Sequence, residues 1–203
     1  TFSDLQLNVP SLQFGQGQYA DSSISLRGIG ALAVGLSYDG SVSYHLNEIP
    51  IPTSAIGDEN FDTARIEILR GPQGTLFGRG STGGAVNIVT SMPDFDEQYG
   101  SAKITAGNYN TQKFEGMFNM PINENLAVRF AGYGLKRDGY IDNLYMPDSH
   151  YDNRDQGAGR MTIAWQDGDT SASLMYQQYN ENSHRSRKGD YICTTSPTPD
   201  RGC

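Results

Sequence analysis

The sequence predicts a chain in two parts: a compact mixed α/β unit up to about Pro93, then antiparallel β-strands as long as membrane-spanning strands. In the first part, short apolar runs are separated by glycine-rich turns at irregular spacing. In the second part, five segments of eight to ten residues alternate apolar and polar residues. Most connections between these segments alternate between short and long, which is typical of a barrel that crosses a membrane.

Composition excludes several other classes. The 203-residue chain has a formal charge of −8 and no lysine-rich or arginine-rich run, so nucleic acid is not an expected partner. No stretch approaches the roughly 18 apolar residues of a transmembrane helix. The chain starts at Thr1 without a leader, so we expect any signal peptide to have been removed or omitted. Two cysteines, Cys193 and Cys203, are too few for a zinc site and favour a local disulfide in an oxidising compartment.

Short alternating runs bounded by turn signals define the elements of the first part. Glycine follows the first run, and an Asp-Gly pair closes the second. An Asn and an Asp before the third run are residues that cap helices. We therefore predict strands at residues 23–28, 34–38 and 65–70, and a short helical turn at residues 60–64.

The segment from Arg70 to Thr90 places six glycines between Gly71 and Gly84, directly before an apolar run. A phosphate-binding loop is not expected because no lysine follows the glycines at the required spacing. A dinucleotide site is not expected either, because the residues that follow are β-branched and alternating rather than helical. The segment is therefore predicted to be a tight double turn between two strands.

The five alternating segments of the second part have one apolar and one polar face. This pattern fits a soluble sandwich or a membrane barrel equally well. Connections at residues 121–125 and 166–170 are short, whereas residues 136–156 and the stretch from Asn180 onward are long, which favours the barrel. The short link at 107–111 is the exception. The predicted strands are residues 99–106, 112–120, 126–135, 157–165 and 171–179.

Aromatic side chains near the strand ends are candidates for the two membrane interfaces. Trp165 lies beside a short turn and is expected at the periplasmic side. Tyr133, Tyr176 and Tyr179 are expected at the opposite side. Acidic residues in the long loop, among them Asp152, lack the spacing of an EF-hand and are expected to be solvated.

The stretch RIEILRGPQGTLFGRGSTGGAVNIVT, residues 65–90, resembles the plug-domain signature of TonB-dependent outer-membrane receptors. SLRGIG at 25–30 resembles an earlier plug motif, and Tyr38-Asp39-Gly40 the family's strand that ends in Asp-Gly. The resemblance implies a mixed α/β plug domain at 1–93, followed at 94–203 by the first strands of an antiparallel transmembrane β-barrel of about 22 strands. Because five strands cannot close a barrel, we expect the N-terminal part of a longer chain.

The function that this resemblance implies is active import of a scarce solute across the bacterial outer membrane, with the plug gating the barrel lumen and the long loops extracellular. A ferric siderophore or similar iron complex is favoured, and haem, cobalamin or a carbohydrate stays open. Expected partners are TonB, whose contact segment is absent from this chain, outer-membrane lipid, the solute and, as an open alternative, a surface lipoprotein.

An enzyme is not expected. The three histidines are scattered over three loops, and neither Gly-x-Ser-x-Gly nor His-Glu-x-x-His occurs. We expect no catalytic residue, cofactor or metal site. The rival hypothesis is a non-transporting surface or secreted β-sheet module that only binds its ligand.

Two groups of site residues follow from the implied topology. Residues 41–57 are polar and contain proline, so we expect a loop at the apex of the plug that joins the barrel loops in binding ligand. The expected ligand-binding residues are Tyr44, His45, Leu46, Asn47, Tyr145, His150, Tyr151, His184 and Arg185. The expected contacts between plug and barrel are Arg65, Glu67, Arg70, Arg79, Glu115, Arg129 and Arg160.

Overall fold

A computed structural model of the chain describes residues 2–16, 22–30, 40–52, 59–142 and 150–184. In these ranges the helices are short: α1 spans Phe2–Asn8 and α2 spans Gly74–Phe77. Neither of them is long and apolar enough to cross a membrane. The fold is therefore carried by its β-sheets.

The first part of the chain contains two small sheets. The first sheet is antiparallel, with strand order β1-β2-β3, and the second has strand order β5-β4-β7-β6. In the second sheet β7 pairs parallel with β4 and antiparallel with β6, so the sheet is mixed. The strands are β1 Leu12–Gln16, β2 Ser22–Leu26, β3 Ile29–Gly30, β4 Val42–Leu46, β5 Ile49–Pro50, β6 Thr63–Arg70 and β7 Gly84–Thr90.

One hydrophobic core joins these two sheets. Leu26 from β2 and Val86 from β7 are almost completely buried in it, together with Val42 and Tyr44 from β4. Gly84 begins β7 with a φ of 149°, and a Cβ there would collide with the carbonyl group of Leu69. Only glycine fits that position, which explains one member of the glycine-rich segment.

The strand prediction for residues 65–70 is confirmed by β6, and that for residues 23–28 is confirmed by β2 as far as Leu26, after which Arg27 and Gly28 form a turn. Two other predictions are wrong. Residues 41–57 were expected to form a loop, but β4 and β5 occupy residues 42–46 and 49–50, because the apolar residues of β4 face the core and its backbone pairs with β7. The expected helical turn at 60–64 is absent, because β6 already begins at Thr63. The predicted strand at 34–38 lies outside the described residues.

The second part forms one antiparallel sheet with strand order β14-β13-β10-β9-β8. All five predicted strands are confirmed, and each extends beyond its predicted bounds. Between β10 and β13, the two short strands β11 and β12 pair within the long loop. The strands are β8 Tyr99–Gly107, β9 Thr111–Asn123, β10 Leu126–Arg137, β11 Ile141–Asp142, β12 His150–Tyr151, β13 Arg154–Asp167 and β14 Thr170–Glu181.

The two faces of this sheet have different environments. We call the face that contacts the first part of the chain the inner face; it carries buried Arg129, Ala131 and Arg160. The outer face carries exposed apolar side chains, among them Ile104 and Leu174. Tyr133 was expected at an outer membrane interface but lies on the inner face, 6% exposed, because it shares its side of the strand with Arg129.

Candidate functional site

A buried ion pair joins the two parts of the chain. Asp62 lies directly before β6, and Arg129 lies in β10. Arg129 donates from Nη2 to Asp62 Oδ1 at 2.5 Å and from Nε to Asp62 Oδ2 at 2.9 Å. The two side chains are only 6% and 7% exposed. This forked arrangement is the strongest geometry for an arginine and a carboxylate, and it fixes direction as well as distance.

Arg160 of β13 holds the backbone of the same segment. Its Nη1 donates to the carbonyl oxygen of Asp62 at 3.2 Å and lies 3.5 Å from that of Phe61. Its Nε donates to Gln177 at 2.9 Å. The guanidinium group also lies over the Phe61 ring, 4.5 Å from its centroid, which adds a cation–π contact.

The Phe61 side chain fills an apolar pocket on the inner face. It is 8% exposed and packs against Ala131 and Tyr133, with ring centroids of Phe61 and Tyr133 5.3 Å apart. Ala158 and Met117 complete the pocket. Small alanine side chains on two neighbouring strands leave the space that the phenyl ring occupies.

A second ion pair lies three residues before Asp62. Lys113 of β9 donates from Nζ to Glu59 at 2.6 Å and lies 3.0 Å from Glu115 of its own strand. The Lys113 and Glu59 side chains are 17% and 13% exposed. Residues 59–62, which we call the anchor segment, thus contact β9, β10 and β13.

Asn119 of β9 fixes the segment that links the two parts. Its fully buried amide donates from Nδ2 to the carbonyl oxygens of Asp94 and Glu97 at 3.0 and 2.7 Å. Its Oδ1 accepts the N–H of Asp94 at 2.9 Å. One side chain therefore satisfies three backbone groups just before β8 begins.

The expected plug–barrel residues occupy three kinds of position. Arg129 and Arg160 contact the anchor segment, whereas Glu115 lies within 4 Å of Lys103 and Lys113 on its own sheet. Arg70 and Arg79 are exposed.

Arg65 and Glu67 lie together on β6 rather than against the second sheet. Arg65 donates to Glu67 at 2.6 Å, and Glu67 also accepts a hydrogen bond from Asn87 of β7 at 3.0 Å. The hydrogen bond from Asn87, which has the larger effect, and the one from Arg65 both lower the pKa of the Glu67 carboxyl.

Sequence reasoning missed Glu59, Asp62 and Lys113. Lys113 could have been found, since it shares its side of β9 with the polar Glu115 and Asn119. Nothing in the local sequence distinguishes Asp62 from a helix-capping residue.

The expected ligand-binding residues Tyr44 and His45 lie inside the first part, not on an exposed apex. They are 3% and 2% exposed, because β4 is an inner strand of its sheet. His45 bonds Ser43 Oγ at 3.1 Å and the Glu48 carbonyl oxygen at 3.2 Å, and its ring packs on Phe77. Burial also raises the pKa of the Tyr44 hydroxyl.

Leu46 and Asn47 also have structural positions. Leu46 packs against the core of the first part. Asn47 Oδ1 accepts the N–H of Thr90 at 2.9 Å, and its Nδ2 lies 3.6 Å from the sulfur of Met175 on β14.

His150, Tyr151 and His184 are exposed at the end of the second sheet that carries the long loop. The backbone of Asp152 donates to the carbonyl oxygen of His184 at 2.7 Å, which brings β12 close to the end of β14. Asp152 itself was expected to be solvated but is completely buried, and Arg154 donates a hydrogen bond to its carboxylate at 2.6 Å, which compensates the buried charge. Tyr145, Arg185, Cys193 and Cys203 lie outside the described residues.

The described residues thus form a small domain with a mixed sheet, held through a buried segment against the polar face of an antiparallel sheet. Residues 1–85 match the family model described as TonB-dependent Receptor Plug Domain. This part of the chain is therefore similar to the plug domains of TonB-dependent receptors, a family of outer-membrane β-barrels with the plug in the lumen.

Curated proteins that are similar in sequence to this chain include two receptors. Over 112 residues the chain is 32% identical to the pesticin receptor of Yersinia enterocolitica, a match that covers 54% of this chain and 16% of that protein. Over 109 residues it is 34% identical to the ferric enterobactin receptor of Pseudomonas aeruginosa, covering 48% and 14%. The matched part of the chain thus spans about a sixth of these relatives.

Solved structures share the fold of both parts. The ferric yersiniabactin uptake receptor of Yersinia pestis aligns with a TM-score of 0.72 and 23% identity, covering 86% of this chain and 28% of that one. A siderophore receptor of Acinetobacter baumannii aligns with a TM-score of 0.66 and 20% identity, covering 88% and 24%. Because the aligned share extends beyond residues 1–85, the second sheet corresponds to barrel strands.

Proposed function

We propose that this chain is the plug and first barrel strands of a receptor that imports a ferric siderophore across the outer membrane, driven by TonB. The observation that carries the proposal is the anchor segment, where Asp62, Arg129 and Arg160 hold the plug against the wall. Such a buried polar contact must release or stay intact as a whole when the plug moves, since a half-broken one leaves a charge without a partner. The domain boundary is proposed at residue 93, with the barrel part from 94 onward.

The solute class rests on the names of the relatives. Ferric enterobactin, ferrioxamine and yersiniabactin receptors are all receptors for iron complexes. Haem, cobalamin and carbohydrates are secondary candidates. TonB, the solute and outer-membrane lipid are the proposed partners, and a surface lipoprotein is an alternative one.

The proposed ligand-contacting residues are His150, Tyr151 and His184, with Tyr145 and Arg185 from the same loops. The three described residues are exposed and lie at one end of the wall. Tyr44 and His45 are not proposed, since neither reaches the surface.

The test is uptake of radioactive iron, supplied as ferric siderophores, by cells that carry the full-length receptor as their only siderophore receptor. We expect accumulation that stops when TonB is deleted or the proton-motive force is collapsed. A matched strain with Tyr151→Ala and His184→Ala should bind and accumulate less iron. Binding without accumulation in energised cells would instead support the non-transporting receptor.

A further inference from the structure

A groove of about 940 Å³ lies in the second sheet, and its outward-facing floor is made of glycines. Gly132 of β10 pairs with Gly116 of β9 and with Gly159 of β13, and Gly134 pairs with Gly157 one step further along. These five glycines lie on the outer face, opposite the pocket of Phe61. Apolar side chains form the walls, namely Phe114, Phe118, Phe130, Met161 and Tyr176.

Packing within the chain does not require all of these glycines. A Cβ at Gly132 would lie 2.9 Å from the carbonyl oxygen of Ala158, so glycine is needed there. A Cβ at Gly134 or Gly159 would meet no atom within 4 Å. Glycine in the middle of a strand lowers stability. Because nothing within the described part of the chain requires glycine at these two positions, we infer that a molecule outside the chain occupies the space beside them.

We propose that this groove binds one acyl chain of an outer-membrane lipid. The inference rests on the barrel placement given under the proposed function, because that placement turns the outer face toward lipid. The outward-facing side chains that line the groove are uncharged.

The groove is polar at one end only. Gln178 and Asn180 of β14 pair with Gly159 and Gly157 and line the end nearer the long loops. Phe118, Phe130, Met161 and Tyr176 lie level with one another nearer the middle of the strands, whereas Phe114 lies level with Gly134 and Gly157. An amphiphile with its ester and head group at Gln178 and Asn180, and its chain along the glycines, matches this polarity.

The experiment uses the full-length receptor in nanodiscs that contain phospholipid with a photoreactive diazirine on one acyl chain. After illumination, mass spectrometry maps the labelled residues. We expect Phe114, Phe130 and Tyr176 to carry more label than Ile104 and Leu174. Tyr176 and Leu174 lie on the same strand and are 62% and 68% exposed, so lipid that only surrounds the barrel predicts no excess of label at Tyr176.

A second labelling experiment uses variants in which larger side chains fill the groove. Gly134→Leu combined with Gly159→Leu should remove the excess label, whereas Ala172→Leu, which adds the same bulk on the outer face away from the groove, should not. Heat-modifiable gel mobility checks that each variant is folded, and the labelling order in the unsubstituted receptor decides the proposal if the double variant does not fold.

Three results would overturn the proposal: labelling that follows exposure, labelling that survives the leucines, or crosslinks from the groove to a second copy of the chain. Iron uptake is measured in parallel, so that loss of lipid labelling and loss of import are separate outcomes.

Discussion

The two faces of the barrel strands are arranged opposite to those of a soluble protein, because charged side chains are buried and apolar side chains are exposed. On β10 and β13 the inner face buries Arg129 and Arg160, while the outer face exposes Phe130 and Trp165. The inner face is covered by the plug, so its charges need partners supplied by the anchor segment. The outer face carries exposed apolar side chains, which need no such partners. We therefore expect substitutions on the inner face to lower stability far more than substitutions on the outer face.

The largest expected effect is that of Asp62→Ala, because it leaves Arg129 buried without its carboxylate. Removing one partner of a buried pair costs about 3–5 kcal/mol. The free energy of local opening at residues 59–70, measured by hydrogen–deuterium exchange on the full-length receptor, should fall by that order. Asp169→Ala, in an exposed turn, is the matched control and should leave exchange unchanged.

A double-mutant cycle sharpens this result. Adding Arg129→Leu to Asp62→Ala removes the buried charge, so part of the lost stability should return. Simple additivity of the two substitutions would contradict the buried ion pair as the source of the effect.

Phe61→Ala should have the next largest effect. It empties the pocket between Ala131, Tyr133 and Ala158 and removes the ring beneath Arg160. The expected loss of opening free energy is about 3 kcal/mol, near the lower end for buried phenylalanine. Phe118→Ala on the outer face is the control, because Phe118 is 40% exposed and should matter much less. Equal losses for both variants would contradict the expected difference between the two faces.

The smallest expected effect is a pH dependence within the plug. Hydrogen bonds from Asn87 and Arg65 lower the pKa of Glu67 from its ordinary value of 4.5. A carboxyl with a lowered pKa in the folded state contributes stability above its unfolded pKa and loses it as pH falls through the folded value. Protection of β6 and β7 amides should therefore decline below about pH 4.5. In Glu67→Gln this decline should be weaker; an identical decline would assign it to other groups.

The sequence predicted the second sheet well because alternation along each strand is a local signal. It predicted β6 for the same reason. It did not predict β4, because the partner that makes residues 42–46 a strand is β7, about forty residues away. The same limit explains Tyr44 and His45: polarity and proline suggested exposure, whereas pairing with β7 buried them. Asp62 was missed because its role depends on an arginine 67 residues later in the chain.

Asn119 also implies an order of assembly. It binds only main-chain groups of Asp94 and Glu97, which lie 25 and 22 residues earlier in the chain. The loop that this contact closes is far shorter than the 67-residue loop closed by Asp62 and Arg129, and shorter loops lose less entropy on closure. We therefore expect the β8–β9 hairpin to capture the linker first. The rest of the plug would then dock against the second sheet while the Asn119 contact is already formed.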